Sequence, residues 1–103
     1  MKSIVDNSHE GECHYCGRQG CTHKHHIFGG ANRKWSEKYG LFVFLCPEHH
    51  NMSNHSVHFD KDLMDSYHRL GQFRFEVEYA CQNHCSEPEA KAEFMRIFGK
   101  NYL

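Results

Sequence analysis

The chain has 103 residues, of which 39% are hydrophobic, and a formal net charge of −1. A single domain of this size buries only about 65% of the surface of its unfolded chain, so its hydrophobic core is thin. No apolar run approaches the roughly 20 residues that span a bilayer, and residues 1–13 lack the apolar stretch of a signal peptide. We therefore expect one small domain with no membrane segment and a cytoplasmic location.

Six cysteines and 11 histidines give this chain an unusual supply of metal ligands. Without an export signal, cysteines beside many histidines favour zinc binding over a disulfide framework. A bound zinc ion would add stability that the thin core does not provide.

The first half of the chain predicts two strands that enclose a short helix. Residues 1–12 are polar, and we expect them to be flexible. The predicted elements that follow are a CxxC turn at 13–17, a strand at 22–28, a helical turn at 31–39 that stops at Gly40, and a buried strand at 41–45. Pro47 and Glu48 then open a further helix, because both residues suit a first helical turn.

The second half predicts two helices. Asp60 can cap a helix that runs to about Gln82. Ser86 and Glu89 form a capping box for a last helix that ends at Gly99. The expected buried stripe of the longer helix follows spacings of three and four residues, at Leu63, Tyr67, Leu70, Arg74, Val77 and Cys81.

Two pairs of ligands are well separated in sequence. They are Cys13-x-x-Cys16 and Cys46-x-x-His49. A spacer of two residues lets both side chains of a pair reach one tetrahedral ion, so we predict a structural Zn²⁺ on these four residues. Free buried cysteines are the simpler alternative.

A rival pairing uses a different set of ligands. Cys13, Cys16, Cys21 and His26 have the spacing of a zinc knuckle, which would bind single-stranded nucleic acid. This pairing leaves Cys46 and His49 without a role, and we do not favour it.

Further histidines lie at the end of the first strand and on the helix after the second. His25 and His26 are neighbours on a strand and point to opposite faces, so we expect them to have different roles. His50 follows His49 on the helix, where one can face the zinc and the other the strand. This arrangement predicts a second metal between the two strands and the helix.

These residues resemble the HNH endonuclease superfamily, whose core is the ββα-metal fold. The similar segments are His25-His26-Ile27, Gly29-Gly30 and LFVFLCPEHH at 41–50. The resemblance implies an α+β fold, in which a zinc-stabilised hairpin and helix at 13–58 are followed by two helices at 59–103 that support them within the same domain. Segments 37–50 and 98–103 also resemble small HNH-type proteins of bacteriophages and prophages, which implies a bacterial or phage-infected cell.

The resemblance also implies roles for individual residues. By position, His25 and His50 bind a catalytic metal and His26 is the general base. Asn54 matches a further ligand one helical turn after His50, and His55 and His58 lie at looser spacings. Histidine ligation suits Zn²⁺, Ni²⁺ or Mn²⁺, and Mg²⁺ can serve when the phosphate supplies oxygen ligands.

One position departs from the pattern of the family. The middle Asn of the family falls at Leu41 in this chain. Since that Asn braces the loop between the strands, another group must hold the loop here, and Asn32 is a candidate.

We therefore expect a metal-dependent DNA endonuclease or nickase that acts as a monomer or homodimer. A neutral imidazole at His26 can take a proton from water, and the metal can stabilise charge on the phosphate. Segment 13–47 carries five basic residues and one acidic residue, and we expect Arg33, Lys34 and Lys38 to contact DNA phosphates.

Two other functions stay open at this stage. The chain can be a zinc-binding module that binds nucleic acid or protein without cleavage, or a redox or metal-responsive regulator that uses Cys21, Cys81 and Cys85. The group Cys81, His84 and Cys85 can hold a second zinc with Cys21 or His23, or can be exposed at a helix end. We favour the exposed helix end.

Overall fold

The structure is a computed structural model that describes residues 2–103. It has an α+β architecture in which a two-stranded antiparallel hairpin is joined to helices, as the sequence predicted. The elements are β1 (His23–His26), a 3-10 turn (Gly30–Asn32), α1 (Arg33–Tyr39), β2 (Phe42–Leu45), a short π-helix (Glu48–Met52), α2 (Lys61–Asn83) and α3 (Glu87–Phe98). No helix within residues 2–103 is both long and apolar enough to cross a membrane.

The register of the hairpin decides which face each histidine occupies. His25 pairs with Val43, and His26 pairs with Phe42. Side chains alternate between the two faces of a strand, so His25 and His26 point in opposite directions, as predicted. Both strands are shorter than expected, although the backbone N–H of Ile27 still donates to the carbonyl of Leu41 at 3.0 Å.

The N-terminal segment, which was expected to be flexible, packs against the rest of the domain. Val5 is fully buried, and the N–H of Ile4 donates to the carbonyl of Gly40 at 2.9 Å. Gly40 has the left-handed φ of 72° that ends α1, and a Cβ there would lie 2.8 Å from the carbonyl oxygen of Lys2. The segment packs because the hairpin offers it an apolar surface and backbone partners, which the polar sequence of residues 1–12 did not reveal.

The caps of the two long helices agree with the prediction. The Asp60 carboxylate accepts the N–H of Leu63, and Ser86 and Glu89 form the expected capping box. α2 ends at Asn83, with His84 as a left-handed cap, and α3 ends before the left-handed Gly99.

The buried face of α2 was predicted wrongly in part. Tyr67, Gly71 and Phe75 are buried at successive turns, while Val77 and Cys81 are exposed. The face is set by Gly71, where an added Cβ would lie 2.9 Å from Ile27 Cγ2. The absence of a side chain lets α2 pack directly on the segment that follows β1.

A buried serine braces the loop between the strands. Ser36 Oγ accepts the N–H of Phe28 at 3.0 Å and donates to the carbonyl of Phe28 at 2.8 Å, while the carbonyl of Ser36 accepts the N–H of Leu41. Ser36 therefore ties α1 to the end of β1 and to the start of β2. Asn32, which the sequence analysis offered as the brace, instead contacts the end of α3. Its Nδ2 donates to the carbonyl of Phe98 at 3.1 Å.

We predict that Ser36→Ala lowers the free energy of unfolding by about 1–3 kcal/mol, because it leaves the N–H and carbonyl of buried Phe28 without their partner. Urea unfolding measures this change. Ser66→Ala is the control, since the Ser66 hydroxyl is exposed, donates to the carbonyl of Asp62 and accepts a long bond of 3.4 Å from Arg69. Equal stability losses in the two variants would contradict the bracing role.

Candidate functional site

The two predicted ligand pairs come together in the structure. The ligand atoms of Cys13, Cys16, Cys46 and His49 all lie within 4.8 Å of one another, and we call this set the Cys3His cluster. Cys16 Sγ lies 3.9 Å from Cys46 Sγ, and Cys46 Sγ lies 3.3 Å from His49 Nδ1. These separations are close to the edges of about 3.3–3.8 Å expected around a tetrahedral zinc. The cluster could therefore hold a metal such as zinc.

The backbone around Cys13 favours the thiolate form that binds metal. Burial alone would raise the pKa of the Cys13 thiol, but hydrogen bonds from the backbone of Cys16, Cys46 and Tyr15 outweigh burial and lower this pKa to about 6. The turn is closed by a hydrogen bond of 2.8 Å from the N–H of Gly17 to the carbonyl of Cys13. A CxxC turn of this kind presents both a charged ligand and the donors that stabilise it.

The rival zinc knuckle is not assembled. Cys21 is exposed, and His26 is engaged with Glu37 on the other side of the hairpin. Within residues 2–103, neither Cys21 nor the C-terminal set Cys81, His84 and Cys85 belongs to a group of three or more possible ligands. Cys81 and His84 are exposed at the end of α2, as expected, whereas Cys85 is partly buried.

A second group unites three histidines from three parts of the chain. His25 comes from β1, His50 from the short π-helix and His58 from the following turn, and their ligand nitrogens also lie within 4.8 Å of one another. We call this set the His triad, and it could hold a metal ion as well. His50 Nε2 lies 3.1 Å from His58 Nε2, while Asn54 is exposed on the turn after the helix.

Burial keeps two members of the His triad neutral. Desolvation, with a smaller contribution from the neighbouring imidazoles, lowers the pKa of His25 to about 3 and that of His50 to about 4. Neutral imidazole is the form that offers a lone pair to a metal ion.

His23 lies beside the His triad. The sequence analysis did not assign it to that site. Its Nδ1 lies 3.0 Å from His50 Nδ1, on the ring edge opposite the contact with His58. His23 therefore fixes the orientation of the His50 ring, as outer-shell partners of metal-binding histidines do. The sequence could have indicated this role, because side chains alternate along a strand and His23 and His25 therefore share one face of β1.

His26 is held by an acidic residue that the sequence did not single out as functional. His26 Nε2 lies 2.9 Å from Glu37 Oε2, and Lys24 Nζ lies 3.0 Å from Glu37 Oε1. The hydrogen bonds from Lys24 and then from His26 lower the pKa of the Glu37 carboxyl. The carboxylate thus stays ionised and fixes the His26 ring from α1.

A cavity of about 580 Å³ connects the His triad with His26, and we call it the triad cavity. His26 is the last residue of β1, so its side chain can border this space although it leaves the strand on the opposite face. Arg33 lines the same cavity, and it also lines a second one of about 590 Å³ along α1 with His26, Lys34 and Glu37. Of the three expected phosphate contacts, Arg33 and Lys34 lie beside this region.

Lys38 lies farther along α1. Its Nζ is 5.6 Å from the centre of the Trp35 ring and 5.4 Å from that of Tyr39, and it lines neither cavity.

No protein-family model, curated protein or solved structure matches this chain. The geometry of the two clusters and of their surroundings is therefore the best indication of function.

We predict that Cys16→Ser removes metal from the Cys3His cluster and lowers Tm, because metal-binding energy contributes directly to folding in small domains. After exchange into Co²⁺, the thiolate-to-cobalt charge-transfer band reports this cluster alone, since the His triad has no sulfur ligand. Cys81→Ser is the matched control and should keep the band. A Cys16→Ser protein with an unchanged band and Tm would contradict the assignment.

Proposed function

We propose that this protein is a metal-dependent DNA endonuclease or nickase with an HNH-type ββα-metal core. The observation that carries the proposal is the triad cavity, which a possible metal site and the His26–Glu37 pair border together. Phosphodiester hydrolysis needs a group that accepts the proton of the attacking water and a positive charge at the phosphate. The cavity presents candidates for both.

The order of elements supports the same proposal. Cys13 and Cys16 precede β1, β1 supplies His25, and Cys46 follows β2. The short π-helix then supplies His49 and His50, which is the order in which a ββα-metal core would present its ligands. Ser36 performs the bracing that the Asn missing at Leu41 would otherwise perform. The departure at Leu41 is therefore compatible with an intact loop.

In the proposed reaction, His26 accepts the proton of the attacking water. Glu37 holds the His26 ring and stabilises the imidazolium that forms, in the way a carboxylate supports the histidine of a catalytic triad. His25, His50 and His58 would hold a divalent ion, which when bound supplies charge neutralisation at the phosphate. The resemblance to HNH enzymes implies 5′-phosphate and 3′-hydroxyl products.

Substrate contact is proposed for the basic residues of α1. Arg33 and Lys34 are exposed and border His26, and phosphate contacts of this kind set affinity without reading sequence. With one such site, a single chain would cut one strand in each event.

We predict that the zinc-loaded protein nicks supercoiled plasmid when Mn²⁺ or Mg²⁺ is added, and that His26→Ala slows nicking by about 10²–10⁴-fold without loss of metal or DNA binding. Glu37→Gln should cause a smaller loss, because the amide can still bond the ring but carries no charge. His55→Ala is the control, since His55 is exposed outside the His triad.

Nicking by His26→Ala at the wild-type rate would overturn the general-base role. A wild-type protein that binds DNA but never nicks would favour the alternative of a zinc-binding interaction module.

We predict that Lys34→Ala weakens binding to all DNA sequences alike and reduces the slope of log K against log salt by about 0.9, the value for one phosphate contact. Lys91→Ala on α3, away from both cavities, should leave the slope unchanged. Fluorescence anisotropy at several salt concentrations measures both. A change in which sequences are bound would contradict a pure phosphate contact.

A further inference from the structure

The triad cavity is also lined by aromatic and apolar side chains that do not belong to the His triad. Besides the triad, its lining includes Phe28, Met64, His68 and Tyr102. The volume of about 580 Å³ lies inside the range of roughly 300–1,000 Å³ that small-molecule ligands occupy. A phosphate at the triad would leave most of this space empty, so the proposed catalytic role does not explain the aromatic wall.

The wall is a set of packed rings. His68 lies parallel to Phe28, with ring centres 5.4 Å apart and an angle of 14° between the planes. Tyr102 lies against both rings, with its centre 5.1 Å from Phe28 and 4.7 Å from His68. The Phe28 side chain is buried, while the side chains of His68 and Tyr102 are partly exposed. Aromatic rings of this kind are the platforms on which proteins stack unpaired bases.

The position of Tyr102 is fixed by a buried polar network. Gln72 is fully buried on α2, and its Oε1 accepts the backbone N–H of Tyr102 at 2.6 Å. Its Nε2 donates to Asn101 Oδ1 at 2.9 Å and to Glu76 Oε2 at 2.8 Å. These hydrogen bonds hold Tyr102 at the cavity.

Positive charge is present in the lining of the cavity and beside Tyr102. Arg33 lines it near His26, and Lys100 Nζ lies 5.1 Å from the centre of the Tyr102 ring. A nucleotide bound in the cavity with its base near the aromatic wall would have a flanking phosphate within the reach of Arg33. Met64 adds a flexible apolar side chain that can adapt to purines and pyrimidines alike.

We propose that the aromatic wall of the triad cavity binds an unpaired DNA base next to the phosphodiester held at the His triad. This inference rests on the proposed DNA-cleaving function and names its substrate class, which is DNA with at least one unpaired nucleotide. A base inside a duplex is stacked on both faces and cannot enter a lined cavity without leaving the stack, which costs a few kcal/mol when the base is paired and least when it is already unpaired.

Binding of two labelled oligonucleotides tests the inference without cleavage. One is a fully paired duplex, and the other is the same duplex with a single-nucleotide bulge. Both are titrated by anisotropy with zinc-loaded protein and no further added metal. We expect the wild type to bind the bulged duplex more tightly. Tyr102→Leu should weaken binding to the bulged duplex by about fivefold or more, and leave binding to the paired duplex unchanged.

Two variants serve as controls. Tyr102→Phe keeps the ring and should keep the preference for the bulge, and Phe73→Leu removes an exposed aromatic ring on α2 outside the cavity. If thermal melting shows that Tyr102→Leu is unfolded, Met64→Glu places a carboxylate in the same wall and should abolish the preference.

Equal affinity of the wild type for the two duplexes would overturn the inference, and so would an equal loss for both duplexes in a folded Tyr102→Leu protein. A different result would contradict the nuclease proposal. If the protein prefers the bulged duplex but cuts no DNA, the proposal of cleavage is wrong and the base site stands. If the protein nicks plasmid but binds the bulged and the paired duplex equally, the base site is wrong and the proposal of cleavage stands.

Discussion

One peptide bond, between His49 and His50, joins the Cys3His cluster to the His triad. His49 belongs to the Cys3His cluster and His50 to the His triad, and both lie on a π-helix of five residues. Neighbouring residues on a helix point in different directions, so one short element can contribute to two sites. The position of the helix is in turn fixed by Cys46, whose carbonyl accepts the N–H of His49 at 3.1 Å and that of His50 at 2.9 Å.

This connection makes the geometry of the His triad depend on the Cys3His cluster. The helix is also held by the buried Val57, whose N–H donates to the carbonyl of His49 at 2.7 Å. Metal bound at the cluster would fix His49, and through the shared backbone it would fix the starting point of the His50 side chain. The Cys3His cluster and the His triad are therefore linked through one short helix, and His23 restrains the His50 ring from β1.

The features that sequence predicted well depend on local chemistry. The two ligand pairs, the cap at Asp60, the capping box at Ser86 and the stop at Gly40 each follow from a few adjacent residues. The opposite orientation of His25 and His26 follows from strand alternation alone.

The features that sequence missed depend on contacts between distant segments. The buried face of α2 is set by the approach of Ile27 to Gly71, and the packing of Val5 depends on a surface made by the hairpin. Glu37 becomes a partner of His26 only because α1 folds back over β1, and no spacing rule predicts that contact. The role of Tyr102 likewise depends on Gln72, which is 30 residues away in sequence.

The hydrogen bonds from Gln72 to Asn101 and Tyr102 have a practical consequence for handling the protein. Leu103 is exposed directly after Tyr102, so any residues joined to it would leave the domain beside the triad cavity. A bulky group attached at that end would therefore lie next to Tyr102, a residue that lines the triad cavity.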